Sequence, residues 1–175
     1  MLARSGADDE TIQAGLLHDV VEDCEDWTSA RVSEEFGPEV AAVVAEVTER
    51  QGESWETRKG EALAAVETMS LRALVVKAAD KLHNMRSLGA RLDAAASPEE
   101  AWSHFSRGPA QTIAHARELV AALRRRLDSV DGFDALKLLN LGPHSGGKCT
   151  LTVTAKDNKK LLANVMIAAA PGVGE

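Results

Sequence analysis

One imidazole and three carboxylates, those of His18, Asp19, Glu22 and Asp23, fall within the apolar stretch Ala14-Gly15-Leu16-Leu17-His18-Asp19-Val20-Val21-Glu22-Asp23. On a helix, His18 lies over Glu22 and Asp19 over Asp23, so the four polar groups form one patch beside Leu16, Leu17, Val20 and Val21. Crowded carboxylates repel one another, and solvent, a raised pKa or a bound cation relieves them; a neighbouring imidazole makes a transition metal a matching cation. A solvated helix face is the other reading, and these ten residues alone do not separate the two.

A second group stands at Val75-Val76-Lys77-Ala78-Ala79-Asp80-Lys81-Leu82-His83-Asn84-Met85-Arg86. Asp80 is set among Ala78, Ala79 and Leu82 in a strong helical pattern, and an acid in such a place needs a partner. Asn84 stacks over it at i+4, Lys77 stands one turn before and Lys81 one step after. Carboxylate, amide and ammonium on one face suit a metal-bound phosphate, the carboxylate for the ion and the others for phosphate oxygens. The plainer alternative is an Asp80–Lys77 or Asp80–Asn84 pair that only satisfies a buried acid.

Both groups need helices to carry them. Asp8 and Asp9 are candidate N-caps for a first helix with Ile12, Leu16, Leu17, Val20 and Val21 in register to about Asp23. Thr28 caps a short helix through Phe36, Gly37 stops it, and Pro38 opens another whose stripe is Val40, Val43, Val44 and Val47. Ser54 caps a helix from Trp55 to about Met69, and Ser70 caps the one carrying Leu74, Val75, Ala78, Leu82, Met85 and the Asp80 group. Ser97-Pro98-Glu99-Glu100 starts a short helix through Phe105. After Gly108-Pro109, Ile113, Leu119, Val120, Leu123 and Leu127 form the apolar side of a closing helix that ends near Val130 to Gly132.

Composition agrees with helices. Ala, Leu and Val dominate the apolar share of the 175 residues, Tyr is absent, and Phe and Trp number three each, which favours close-packed helices over an aromatic sandwich. A net charge of −7, with only Arg124-Arg125-Arg126 as a basic run, argues against a duplex nucleic-acid partner; that run decorates a helix's last turn. Cys24 and Cys149 are far apart and show no zinc or redox spacing, so free thiols in a cytoplasmic protein are expected. No stretch has the length of a membrane span or the make-up of a signal peptide. Beyond Gly132, Gly142 to Lys148 matches the spacing of a phosphate loop, yet Cys149 replaces the Ser or Thr and a strand-like run follows. The match is read as coincidence.

Taken together, the motifs resemble the HD-domain metal-dependent phosphohydrolases, and within them the RelA/SpoT-type domains that cleave guanosine 3′,5′-bis(diphosphate). Leu16 to Asp23 match that family's HDxxED helix; Phe36 to Ala41, Val47-Thr48, Trp55 to Lys59 and Ala79-Asp80-Lys81-Leu82-His83-Asn84 recur at its spacing. Trp102, Phe105 and Gly108 resemble its closing region, so the likeness covers about residues 7 to 128. The resemblance implies an all-α HD-domain helical bundle over residues 1–131, lacking the family's first helix, and an irregular tail over 132–175.

It also implies roles. His18, Asp19 and Asp80 would bind one divalent ion, manganese in this family, and Glu22 and Asp23 would orient and activate the attacking water. Asn84 would bond the nucleotide or the Asp80 carboxylate, and Lys77, Lys81 and Arg86 would contact phosphates of a guanine nucleotide substrate. In the family the first ligand is an upstream histidine; no residue before His18 stands in for it, and His115 is the one candidate elsewhere. His83 should point off the metal face, and His104, His115 and His144 read first as surface or packing residues. Two alternatives stay open: action on another nucleotide or a phosphorylated dinucleotide, and an inactive domain that binds nucleotide or a partner.

Overall fold

The computed structural model describes residues 2–103 and 105–129, and farther along the chain the backbone of three strands. Among the described residues, a short 3-10 turn at Leu2–Ser5 precedes eight helices: α1 (Asp9–Leu17), α2 (Val20–Asp23), α3 (Ser29–Phe36), α4 (Pro38–Val47), α5 (Trp55–Ala65), α6 (Leu71–Ala94), α7 (Pro98–Trp102) and α8 (Pro109–Asp128). The capping residues expected from the sequence do cap: Asp8, Thr28, Ser54, Ser70 and Ser97 each accept a backbone N–H three residues on. Each satisfies one donor that the helix geometry leaves orphaned. Gly37 takes φ +92°, where a side chain would be strained, and so lets α4 start at Pro38 immediately after α3 ends.

Three boundaries differ from the sequence-based expectation. The first helix does not run to Asp23 but stops at Leu17 and restarts for one turn as α2. The His18 ring Nδ1 hydrogen-bonds to Gly15 O at 3.1 Å, the carbonyl that the Asp19 N–H would occupy in an unbroken helix. Helix α5 ends at Ala65 rather than Met69, because Arg126 of α8 donates to Val66 O and Met69 O, both at 3.2 Å. That side chain is therefore a clamp on the α5–α6 turn and not a solvated cation, while Arg125 pairs with Glu67 and Arg124 with Asp128. Helix α7 stops at Trp102, short of Phe105.

The long helix α6 is the axis of the bundle. Its Leu74, Val75, Val76, Leu82, Met85 and Leu88 are buried against the valine stripe of α4 and Leu119, Val120, Leu123 and Leu127 of α8. Each such side chain contributes about 1.5–3 kcal/mol on burial. Arg72, in the first turn of α6, donates to Asp8 Oδ2 at 2.9 and 2.7 Å and thereby ties the start of α6 to the cap of α1. This link and the shared core set the register between His18 and Asp80.

The chain is all-α through Asp128; beyond it, β1 (Lys137–His144), β2 (Lys148–Thr154) and β3 (Leu161–Ala168) pair antiparallel in the order β1-β2-β3. The tail read as irregular thus carries a three-stranded meander, and the alternating Thr150, Thr152 and Thr154 lie on β2. The end of the closing helix near Val130 to Gly132, the loop residues of the Gly142 to Lys148 match, and His104 lie outside the described residues. Among the described residues, no helix is long and apolar enough to cross a membrane.

Candidate functional site

The break between α1 and α2 puts His18 and Asp19 opposite the middle of α6. His18 Nε2 lies 3.0 Å from Asp19 Oδ2 and 3.5 Å from Asp80 Oδ1. Because Gly15 O can only accept, Nδ1 carries the proton, and Nε2 is the nitrogen aimed between the two carboxylates. A lone pair facing two carboxylates is unfavourable, and only a proton or a cation at that point resolves it. The hydrogen bond to Asp80 holds the His18 pKa above the ordinary value, and the charge of Asp19 adds to it. Burial would raise Asp80, but His18, Lys81 and Lys77 outweigh it and keep its carboxyl below the usual range. Asp19, where burial is the largest influence, is pushed up.

An imidazole oriented by a backbone carbonyl through Nδ1, with two carboxylates at Nε2, is a donor set that suits a divalent metal. The side chains presently touch one another instead of surrounding a common point: among the described residues, no three His, Cys, Asp or Glu groups are arranged to hold an ion. The chemistry of the donors therefore fits, and the ion would replace the His18–carboxylate contacts. Asn84 Nδ2 donates to Asp80 Oδ1 at 2.6 Å, which aligns the carboxylate and leaves the amide oxygen available as an acceptor.

The stacking of His18 over Glu22 expected on one unbroken helix does not occur. Glu22 turns instead to the α4–α5 loop, where its Oε1 accepts the Glu49 N–H at 2.6 Å and its backbone carbonyl accepts from Gln51 Nε2 at 3.3 Å. Burial, more than the neighbouring charges of Glu49 and Asp19, raises the Glu22 pKa, as suits a proton acceptor. Asp23 is exposed and is not among the lining residues of the cleft that Asp19, Glu22 and Asp80 share, although its charge acts on Asp19.

That cleft has a volume of about 200 Å³, and its far wall is cationic. Lys81 faces it with a pKa lowered by burial against the opposing pull of Asp80. Lys77 also lines it, yet its ammonium is buried and donates to Val47 O at 3.1 Å, so it braces the end of α4. Arg86 lines neither this cleft nor the one beside it, and His83 is exposed on α6.

Three further lining residues, Glu49, Arg58 and Lys59, have no role that the sequence pattern assigns. Glu49 accepts Lys59 Nζ at 2.7 and 2.9 Å and pairs with Arg58 at 3.4 Å. Lys59 overcomes the burial of Glu49 and lowers its pKa. The signal in the sequence is Trp55 to Lys59 itself, a stretch that matches the family without an evident use.

His115 reaches the same cavity from α8 and meets the Trp55 ring edge-on at 5.8 Å. Burial first, then Lys81 and Lys59, push its pKa down to about 4. Between the ordinary 6.5 and about 4, the unfolded chain takes up a proton that the folded chain refuses, so His115 lowers stability as the pH falls through that window. His115→Gln is expected to flatten the acid limb of stability by roughly 2 kcal/mol, allowing for partial exposure of the ring. Melting temperatures of both proteins across the window provide the check; parallel curves would refute it.

The HD-domain family model matches residues 1–106, which contain the His18-Asp19 pair and Asp80 in the arrangement just described. The chain belongs to the HD domain family. Similar proteins include a guanosine-3′,5′-bis(diphosphate) 3′-pyrophosphohydrolase of Haemophilus influenzae, 37% identical over 98 residues, a match covering 51% of this chain and 14% of that protein. The chain thus spans a small part of that relative's length. A solved structure from Listeria monocytogenes EGD-e is 36% identical with a TM-score of 0.64, covering 70% of this chain and 78% of that one. A metazoan ortholog of SpoT, described as hydrolysing ppGpp, is 31% identical with a TM-score of 0.58, covering 73% and 71%.

Proposed function

We propose that this HD domain, over residues 1–131, is a metal-dependent phosphohydrolase that cleaves the 3′-pyrophosphate from guanosine 3′,5′-bis(diphosphate). The observation that carries the reading is His18 Nε2 held between Asp19 and Asp80, across a small cleft from Lys81, Lys59 and Arg58. Metal donors on one wall and cations on the other match a metal-bound phosphate chain. The activities for which the Haemophilus and metazoan relatives are named support guanosine tetraphosphate as the substrate.

His18, Asp19 and Asp80 would hold the ion, and the mixed nitrogen and oxygen donors accommodate manganese. Bound there, a divalent ion supplies Lewis acidity and lowers the pKa of water. The chain's own groups do the rest. Glu22, fixed at one oxygen by the Glu49 N–H, takes the proton of the attacking water at the other. Asp23, outside the cleft, acts on it through the negative charge it adds near Asp19. Lys81 and the second N–H of the Asn84 amide donate to the phosphate chain as the water oxygen bonds to phosphorus and the bond to the ribose 3′ oxygen breaks. Lys77 and Arg86 stand behind these contacts in the reading, Lys77 through its charge. A cytoplasmic location accords with the exposed free thiol of Cys24.

The test is metal removal. Protein stripped with EDTA is expected to be inert toward guanosine tetraphosphate, and added manganese should restore release of pyrophosphate and GDP. Manganese-loaded protein that binds the nucleotide without releasing pyrophosphate would overturn the hydrolytic reading.

A further inference from the structure

The loop between α4 and α5 carries the backbone N–H on which Glu22 rests, and packing does little to hold it. It has open space on both sides: the metal cleft in front, and behind it a cavity of about 450 Å³ that Glu46, Arg50, Glu61, Ala62 and Met69 help to line. Glu49, Arg58 and Lys77 line both spaces, so these three side chains form the partition between them.

Polar links fix the loop instead. Thr48 donates through its N–H and its hydroxyl to Val44 O, at 3.0 and 2.8 Å, which ends α4. One residue on, both oxygens of the Glu49 carboxylate accept from Lys59 Nζ, at 2.7 and 2.9 Å, and Arg58 stands 3.4 Å away. The Glu49 side chain is 13% exposed and that of Lys59 24%, so solvent screens this charge-assisted pair less than one on the surface. A second ion pair between loop and α5, Arg50 with Glu61 at 3.6 Å, is exposed and counts for less. From the same Glu49 the main-chain N–H donates to Glu22 Oε1 at 2.6 Å, and Gln51 Nε2 donates to the Glu22 carbonyl at 3.3 Å. The loop thus grips Glu22 by side chain and backbone, and α5 grips the loop at Glu49.

We propose that Lys59 is a positioning residue for Glu22: by pinning Glu49 to α5 it fixes the N–H that leaves the other Glu22 oxygen aimed at the attacking water. The assignment rests on the hydrolytic reading, which makes Glu22 the proton acceptor. The Lys59 ammonium is committed to both Glu49 oxygens, so beyond the charge it lends the cleft wall its part in turnover is exerted through the protein.

Opposite charge changes must then act in the same direction. Lys59→Met and Glu49→Gln are each expected to lower kcat for guanosine tetraphosphate in manganese about ten-fold or more, with KM within about three-fold, because a displaced general base loses much of its contribution. The double variant should be no slower than the slower single one, since both break one contact, and Lys59→Arg should restore most of kcat. Amide hydrogen exchange followed by NMR in EDTA gives a readout without turnover. Exchange should speed up about ten-fold at Glu49 in Lys59→Met and stay within about two-fold at Thr48, whose N–H is bonded to Val44 O. Melting curves verify that the variants fold. A rise in KM with kcat intact in Lys59→Met, a Glu49→Gln protein as fast as the wild type, a double variant carrying the product of the two losses, or unchanged exchange at Glu49 would overturn the proposal. Wild-type protein inert in manganese would count against hydrolysis alone, and exchange at Glu49 would then decide whether Lys59 holds the N–H on Glu22.

Discussion

Asp80→Asn is expected to abolish metal binding and hydrolysis together while leaving the bundle folded. The change keeps the shape of the side chain and removes its charge and one hard oxygen donor. Asp80 is the group on which the two halves of the site meet: His18 Nε2 approaches one of its oxygens at 3.5 Å, and Asn84 donates to the same oxygen at 2.6 Å. Loss of a residue that merely orients a metal ligand costs about 10- to 100-fold in affinity, so loss of a ligand should exceed ~100-fold. Hydrolysis of guanosine tetraphosphate should fall to background at any manganese concentration that saturates the wild type. Metal analysis, turnover and a melting curve on one preparation are enough to decide. Turnover within about ten-fold of the wild type would remove Asp80 from the metal site.

The second large effect is on stability. Lys77→Met is expected to destabilise the fold by about 3 kcal/mol, because breaking a buried charge arrangement from one side leaves the partners uncompensated. The Lys77 side chain is only 9% exposed, and its ammonium satisfies Val47 O at the end of α4. Its charge also lowers the carboxyls of Asp19, Glu22, Glu49 and Asp80, four acids around one small cavity. Methionine fills the same space but leaves the carbonyl orphaned and the acids without that counter-charge. The loss should be greatest at neutral pH and shrink in mild acid, where Asp19 and Glu22, whose pKa values are already raised, take up protons. Urea unfolding in EDTA at the two pH values measures this. A variant as stable as the wild type but slow in turnover would instead make Lys77 a phosphate contact.

Much of the site could be read from local pattern. His18-Asp19, Glu22 and the Asp80 to Asn84 group announce themselves because a helix places residues three and four apart on one face and because charged groups stand out among apolar ones. The helix starts were equally legible, since a capping side chain and its N–H partner are only three residues apart. The alternation at Thr150 to Thr154 likewise points to a strand.

What periodicity could not show is where a helix ends for a tertiary reason. The break after Leu17 depends on the His18 ring turning to Gly15 O, and the stop at Ala65 depends on Arg126 reaching across from α8. The same limit hid Glu49 and Lys59, and the place of His115 beside Trp55, since their partners are brought to them by the packing of α4, α5, α6 and α8 around one core.

The sequence by itself therefore determined the helical class, most of the caps and core stripes, and the residue types able to hold a metal and a phosphate. Tertiary structure alone decided that Glu22 faces Glu49 instead of His18, that Lys77 braces α4, and that Trp55 and His115 border a second cleft. The physical reason is range: capping and helix-face relations act over three or four residues, whereas the cavity forms only when helices distant in the chain bury their apolar faces together.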